Sequence, residues 1–85
     1  MSLIKQLQKV WHPILATKKE VLKFFEEEEV ITSRMLMNKF DYRYGSARNR
    51  LAALHREGLI ESLFQRGTWG LTNKGVRKLM YFEQQ

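Results

Sequence analysis

The chain has 85 residues, with 15 Lys and Arg against 9 Asp and Glu, a formal charge of +6, and hydrophobic residues at 44%. Folding at this length buries only about 60% of the unfolded chain's surface, which makes one small core and excludes a two-domain enzyme with a deep cleft. The absence of cysteine excludes a disulfide framework, a thiolate metal site and a cysteine nucleophile.

Leu3, Leu7, Val10, Trp11 and Ile14 recur at spacings of three and four, an amphipathic helical pattern that Pro13 ends or kinks. Thr17-Lys-Lys-Glu20 is a capping box, and Val21, Leu22, Phe24 and Phe25 supply the apolar face of the helix that follows it. The acidic run Glu26 to Glu29 marks where that helix frays and stops, because the macrodipole disfavours anions at a C-terminus. Val30-Ile31-Thr32 reads as a short extended link. Thr32 or Ser33 caps a second helix through about Phe40, with Leu36, Phe40 and one or two of Met35 and Met37 facing the core. After an interruption at Asp41 to Ser46, Ala47, Leu51 and Leu54 line the inner face of a third helix, over about 44–57, which Gly58 ends as a C′ residue.

Two short strands, Leu59 to Gln65 and Thr68 to Thr72, flank Arg66-Gly67. A two-residue turn there pairs residue 64 with 69, 62 with 71 and 60 with 73, which puts Ile60, Phe64, Trp69 and Leu71 on the core face and leaves Leu63 exposed or packed on a partner. A slightly longer loop is the alternative, since Arg at a position with φ > 0 is uncomfortable. Thr72 caps a last helix whose Val76, Leu79 and Met80 return to the core. The expected class is thus α+β, mostly α, in a single domain: an N-terminal helical extension over 1–16, a core over 17–72 and a C-terminal helix over 73–85.

The position of the charge sharpens its meaning. The first 30 residues hold five Lys and five Glu and sum to zero, while Arg34, Lys39, Arg43, Arg48, Arg50 and Arg56 against Asp41 give +5 within 23 residues. No stretch approaches the roughly 20 apolar residues of a membrane span, and the N-terminus lacks a secretory h-region, so the cytoplasm is the expected compartment. His12 and His55 have no third ligand beside them at metal spacing. No phosphate loop, nucleophile elbow or catalytic carboxylate pair is present, and neither an enzyme, a cofactor nor a small-molecule effector is expected.

Phe40-Asp-Tyr-Arg-Tyr-Gly-Ser-Ala-Arg-Asn-Arg-Leu51, then Leu54-His-Arg-Glu-Gly-Leu-Ile-Glu61, then Trp69-Gly-Leu-Thr-Asn-Lys-Gly75 occur in this order. Together they resemble a winged helix-turn-helix domain of the kind found in small MarR- and PadR-like transcriptional regulators, over about residues 17–80. The resemblance implies a three-helix core, a two-stranded β-hairpin wing, and buried positions at Phe40, Tyr42, Ala47 and Leu51. It also implies a recognition helix that reads the major groove of double-stranded DNA. Arg43 stands where the family carries a small capping residue, so Asp41 or Ser46 is expected to cap instead. The wing carries one cation, Arg66, where many members carry several.

A major-groove reader needs an exposed helix with donors near its N-terminus and flanking cations. With Ala47, Leu51 and Leu54 inward, the outward arc of the third helix holds Asn49, Ala53 and Arg56, flanked by Ser46, Arg48 and Ala52. Arg48 suits guanine O6 and N7, Asn49 suits adenine N6 and N7, and Ala52 or Ala53 suits a thymine methyl. Arg34, Tyr44 and Ser46 suit phosphates, with Tyr44 divided between that role and stacking on the second helix, and Arg43 is a further DNA-binding candidate. Arg50 and Arg56 are electrostatic background or surface pairs with Glu57, with a DNA contact as the alternative that keeps Arg56 among the DNA-binding candidates, and Arg66 is the wing contact. A homodimer on a pseudo-palindromic site is expected. The alternative is a protein-interaction module of the same fold, served by Leu63 and the Glu26 to Glu29 patch.

Overall fold

The computed structural model describes residues 16–85, so the amphipathic pattern from Leu3 to Ile14, with His12 and Pro13, lies outside the described residues. Among the described residues, four helices and a two-stranded antiparallel hairpin follow one another: α1 (Lys18–Glu28), α2 (Ser33–Phe40), α3 (Tyr44–Arg56), β1 (Ile60–Ser62), β2 (Trp69–Leu71) and α4 (Asn73–Glu83). None of these helices is long and apolar enough to cross a membrane.

The start signals at Thr17, Thr32 and Thr72 and the stop signal at Gly58 act as the sequence suggests. The Thr17 hydroxyl accepts from the Glu20 N–H at 3.1 Å while the Glu20 carboxylate accepts from the Thr17 N–H at 2.8 Å, so two otherwise unpaired donors are satisfied reciprocally. Thr32 caps α2 by accepting from the Met35 N–H, and Thr72 caps α4 by accepting from the Gly75 N–H. At the end of α3, Gly58 adopts φ 79°. Its N–H donates to the His55 carbonyl and the Leu59 N–H donates to the Leu54 carbonyl, the paired bonds of a Schellman motif.

The end of α1 is less comfortable. Glu29 stands at φ 68°, ψ −41°, and the Val30 N–H donates to the Glu28 carbonyl at 2.7 Å across it, a three-residue turn strained for a residue with a Cβ. Lys23 bridges this acidic end to α4, contacting Glu26 at 3.0 Å and Glu83 at 3.3 Å. Its hydrogen bonds to Glu26 and then Glu83 hold the ammonium above its ordinary pKa. The stability linked to this ammonium is present at neutral pH and is lost as pH rises through the elevated value.

Beyond Glu29 the chain straightens. Ile31 exchanges two backbone hydrogen bonds with Trp69, each 2.9 Å, so β2 is flanked by Ile31 on one side and β1 on the other. The core gathers Val21, Leu22 and Phe25 of α1, Leu36 of α2, Leu54 of α3, Leu79 of α4, and Ile31, Leu59 and Ile60 between them, all fully buried. Burial of each of the larger side chains contributes about 1.5–3 kcal/mol. Met35, Met37, Phe40, Trp69 and Leu71 pack around them half-buried.

Two expectations about facing are corrected. The hairpin register is Ile60 with Leu71, Glu61 with Gly70 and Ser62 with Trp69, two residues away from the one a two-residue turn would impose. The Leu63 N–H donates to the Thr68 carbonyl, closing a four-residue loop, Phe64 to Gly67, in which Gly67 takes φ 81° and Arg66 escapes a positive φ. The shift is even, so Ile60, Trp69 and Leu71 keep a common face, but Phe64 falls outside the ladder and is fully exposed. Leu63 is half-buried, with its side chain laid against Gly70.

On α4 the inward stripe is Gly75, Leu79 and Phe82, while Val76 and Met80 remain exposed. The cause is Gly75. Without a side chain it lets the first turn of α4 rest on the Leu59 carbonyl, which rotates the helix away from the Val76 face.

Candidate nucleic-acid interface

α3 is held from beneath by Ala47, Leu51 and Leu54, and from the side by the link that precedes it. Asp41 closes α2 in the left-handed region at φ 59°, a conformation Asp tolerates better than most residues, and so turns the chain toward α3. Tyr42 is then buried beside Phe40, with ring centroids 6.0 Å apart, and Phe40 meets Phe24 edge-on at 5.5 Å. This aromatic run ties the end of α2 to α1 just before α3 begins.

Arg43 is the N-cap residue of α3, and no side chain caps the helix: neither Asp41 nor Ser46 takes that role. The residues from Arg43 to Ser46 are exposed. The positive end of α3 thus faces solvent with its first-turn N–H groups unclaimed by any side chain, a setting that favours an anionic oxygen.

The nine residues singled out from the sequence, Arg34, Arg43, Tyr44, Ser46, Arg48, Asn49, Ala52, Arg56 and Arg66, are all exposed. Six of them, with Gly45, belong to the first turn and outward face of α3. Ala53 does not share that face, because it is half-buried, so the outward arc centres on Asn49, Ala52 and Arg56 with Arg48 at its border. Arg34 lies in the first turn of α2, and Arg66 in the hairpin loop.

Tyr44 is exposed and its ring carries the Arg48 guanidinium, 5.7 Å from the ring centroid. The two are one helical turn apart, the spacing at which side chains meet. The stacking on the second helix weighed for Tyr44 gives way to this contact, which limits the orientations open to Arg48. Among the described residues, ion pairs engage only Lys18 and Lys23. Glu57, a candidate partner for Arg50 or Arg56, is instead bound by Lys18 at 2.8 Å, so the cations of α3 keep their charge for other anions.

Arg50 is the exception to the sequence reading. It is half-buried and points away from the outward face, donating from Nη2 to the Ala16 carbonyl at 2.6 Å and from Nε to the Tyr42 hydroxyl at 3.3 Å. It is a brace between α3 and the segment entering α1, neither electrostatic background nor a partner of Glu57. Replacing Arg50 with alanine should lower stability by about 1 kcal/mol in urea unfolding, because the Ala16 carbonyl loses its charged donor at a partly solvated site. Binding to any polyanion should change far less than for the outward arginines.

Glu57, Leu59, Lys74, Arg77, Lys78 and Tyr81 border an open groove of about 450 Å³, and a second open groove between α1 and α2 is of similar size. Among the described residues, no three His, Asp or Glu side chains converge as metal ligands would. The α4 cations Lys74, Arg77 and Lys78, absent from the site read in the sequence, belong to the first of these grooves.

Comparisons of the chain with protein-family models, with curated proteins and with solved structures give no significant match.

Proposed function

We propose that the chain is a winged helix-turn-helix domain that binds double-stranded DNA sequence-specifically, as a cytoplasmic transcriptional regulator without catalytic activity. In this reading α2 and α3 form the helix-turn-helix, the β1–β2 hairpin is the wing, and α3 lies in the major groove. The observation that carries the reading is the division of labour on α3. Its apolar stripe and Arg50 serve the fold, while Arg48, Asn49, Ala52 and Arg56 are presented together beside an uncapped positive helix end. Arg48 and Asn49 read base edges, Ala52 meets a thymine methyl, and Arg34, Arg43, Tyr44 and Ser46 hold phosphates.

One such helix spans few base pairs, so two copies on an inverted repeat, with half-sites about one helical turn apart, would supply the missing specificity. The exposed Val76, Met80 and Tyr81 of α4 offer apolar surface for that pairing. For the protein-interaction alternative, Leu63 offers a half-buried side chain laid against Gly70.

Selection of bound duplexes from a random pool tests the proposal. Enrichment of a short motif, as an inverted repeat, is the expected result. Failure of any motif to enrich at low salt would refute sequence-specific binding, and enrichment of a single half-site would refute the dimer.

A further inference from the structure

Phe64 is exposed to 107% of its reference area, whereas the other exposed large apolar residues among those described lie between 39% and 56%. Its position is built by the loop. The Leu63 N–H donates to the Thr68 carbonyl at 2.9 Å, the Thr68 N–H donates to the Gln65 carbonyl at 3.1 Å, and the Thr68 hydroxyl donates to the same oxygen. Gly67 supplies the left-handed residue that this closure needs. Leu63 is held against Gly70, and the next side chain along the chain, Phe64, stands in solvent two residues before the exposed Arg66.

The hairpin carrying this pair starts from the flank of α3. The rings of His55 on α3 and Trp69 on β2 lie 5.1 Å apart, and β1 follows α3 directly through Gly58 and Leu59. From Trp69 to the loop tip is about three residues, a reach of about 10 Å at about 3.3 Å per residue. If α3 lies in a major groove about 12 Å wide, a hairpin of that reach on its flank is long enough to meet the neighbouring minor groove. Proteins that enter minor grooves pair a cation, drawn in by the negative potential, with an apolar side chain that wedges between base steps.

We infer that Phe64 is an apolar wedge for the minor groove of duplex DNA, with Arg66 as the cation that accompanies it. The inference rests on the DNA-binding reading above and adds to it a bend in the bound duplex. The unusual exposure of Phe64 then has a use, and the wing's lack of further cations is offset by a contact that needs none.

The test uses the full chain and a duplex of about 25 base pairs rich in flexible TA steps, with a fluorescence donor and acceptor at its ends. Anisotropy reports binding, and energy transfer reports bending. The wild type should bind and raise the transfer efficiency. Phe64→Ala should bind roughly tenfold more weakly and leave the bound duplex close to straight, while Phe64→Leu retains most of the bend. Because Phe64 is fully exposed, both variants should unfold at the wild-type temperature, which separates the effect from damage to the fold. Wild-type binding with an unchanged affinity and bend in Phe64→Ala would overturn the wedge and leave the DNA-binding reading standing. An equal loss by Phe64→Ala on the separated single strand would overturn it in favour of plain base stacking. A wild type that binds no duplex at low salt would overturn both.

Discussion

Replacing Gly75 with alanine is expected to lower the free energy of unfolding by about 3 kcal/mol, although alanine is the better helix former by about 1 kcal/mol. A Cβ built at Gly75 overlaps the Leu59 carbonyl oxygen and comes within 2.9 Å of Leu71 Cδ2. That oxygen cannot retreat freely, because it accepts the Thr72 N–H at 3.1 Å. Thr72 is itself committed, since its hydroxyl donates to the Gly58 carbonyl at 2.6 Å and accepts from the Gly75 N–H at 3.0 Å. Any shift that admits the methyl group therefore strains the cap of α4 and the turn after α3 together. Against a total stability of about 5–15 kcal/mol for a domain, the loss should be plain in urea unfolding.

Gly45→Ala provides the internal contrast. Nothing lies within 4 Å of a Cβ there, and Gly45 sits in the first turn of α3. The same chemical change should stabilise the protein by about 0.5–1 kcal/mol. Equal effects at the two positions would contradict the seating of α4 on Leu59.

The second large effect concerns binding. Arg48→Ala should cost about 1–3 kcal/mol on a selected duplex, between about fivefold and 150-fold in affinity, and much less on random DNA. A bidentate contact to guanine is lost only where the guanine is present, whereas a phosphate contact is lost on every sequence. The Tyr44 ring beneath Arg48, at 5.7 Å, strengthens this expectation, because a guanidinium already restricted in the free protein gives up less entropy on binding. Tyr44→Ala should therefore weaken the selected duplex as well, by less than Arg48→Ala. Equal losses on both duplexes would make Arg48 a phosphate contact.

How far the fold was legible depended on how local its determinants are. The caps at Thr17, Thr32 and Thr72 and the Gly58 turn involve partners three to five residues away, so their signatures lie in short stretches of sequence. The α3 face was legible for the same reason, as Ala47, Leu51 and Leu54 settle it by periodicity alone.

The misreadings have non-local causes. Phe64 and the core positions of the hairpin share one parity, and only the length of the loop, fixed by the Leu63–Thr68 bond, removes Phe64 from the ladder. On α4, the patterns 76, 79, 80 and 75, 79, 82 are both acceptable helical stripes. The choice falls to the close approach of Gly75 to a backbone carbonyl 16 residues earlier. Arg50 looked like its neighbours because its acceptor, the Ala16 carbonyl, is 34 residues distant and belongs to the backbone, which carries no side-chain signature. Within the candidate site, exposure was legible for all nine chosen residues, while the Tyr44–Arg48 contact, a plain one-turn pair, was available in the spacing and overlooked.

The central claim is that the charge concentrated on α2 and α3 meets phosphates. The salt dependence of binding to a labelled duplex measures this most directly. With about four to six phosphates neutralised per protomer, log K should fall by roughly 4–5 for each tenfold rise in salt. A nearly flat dependence would contradict the account, because the outward arginines would then belong to the surface and not be the means of holding DNA.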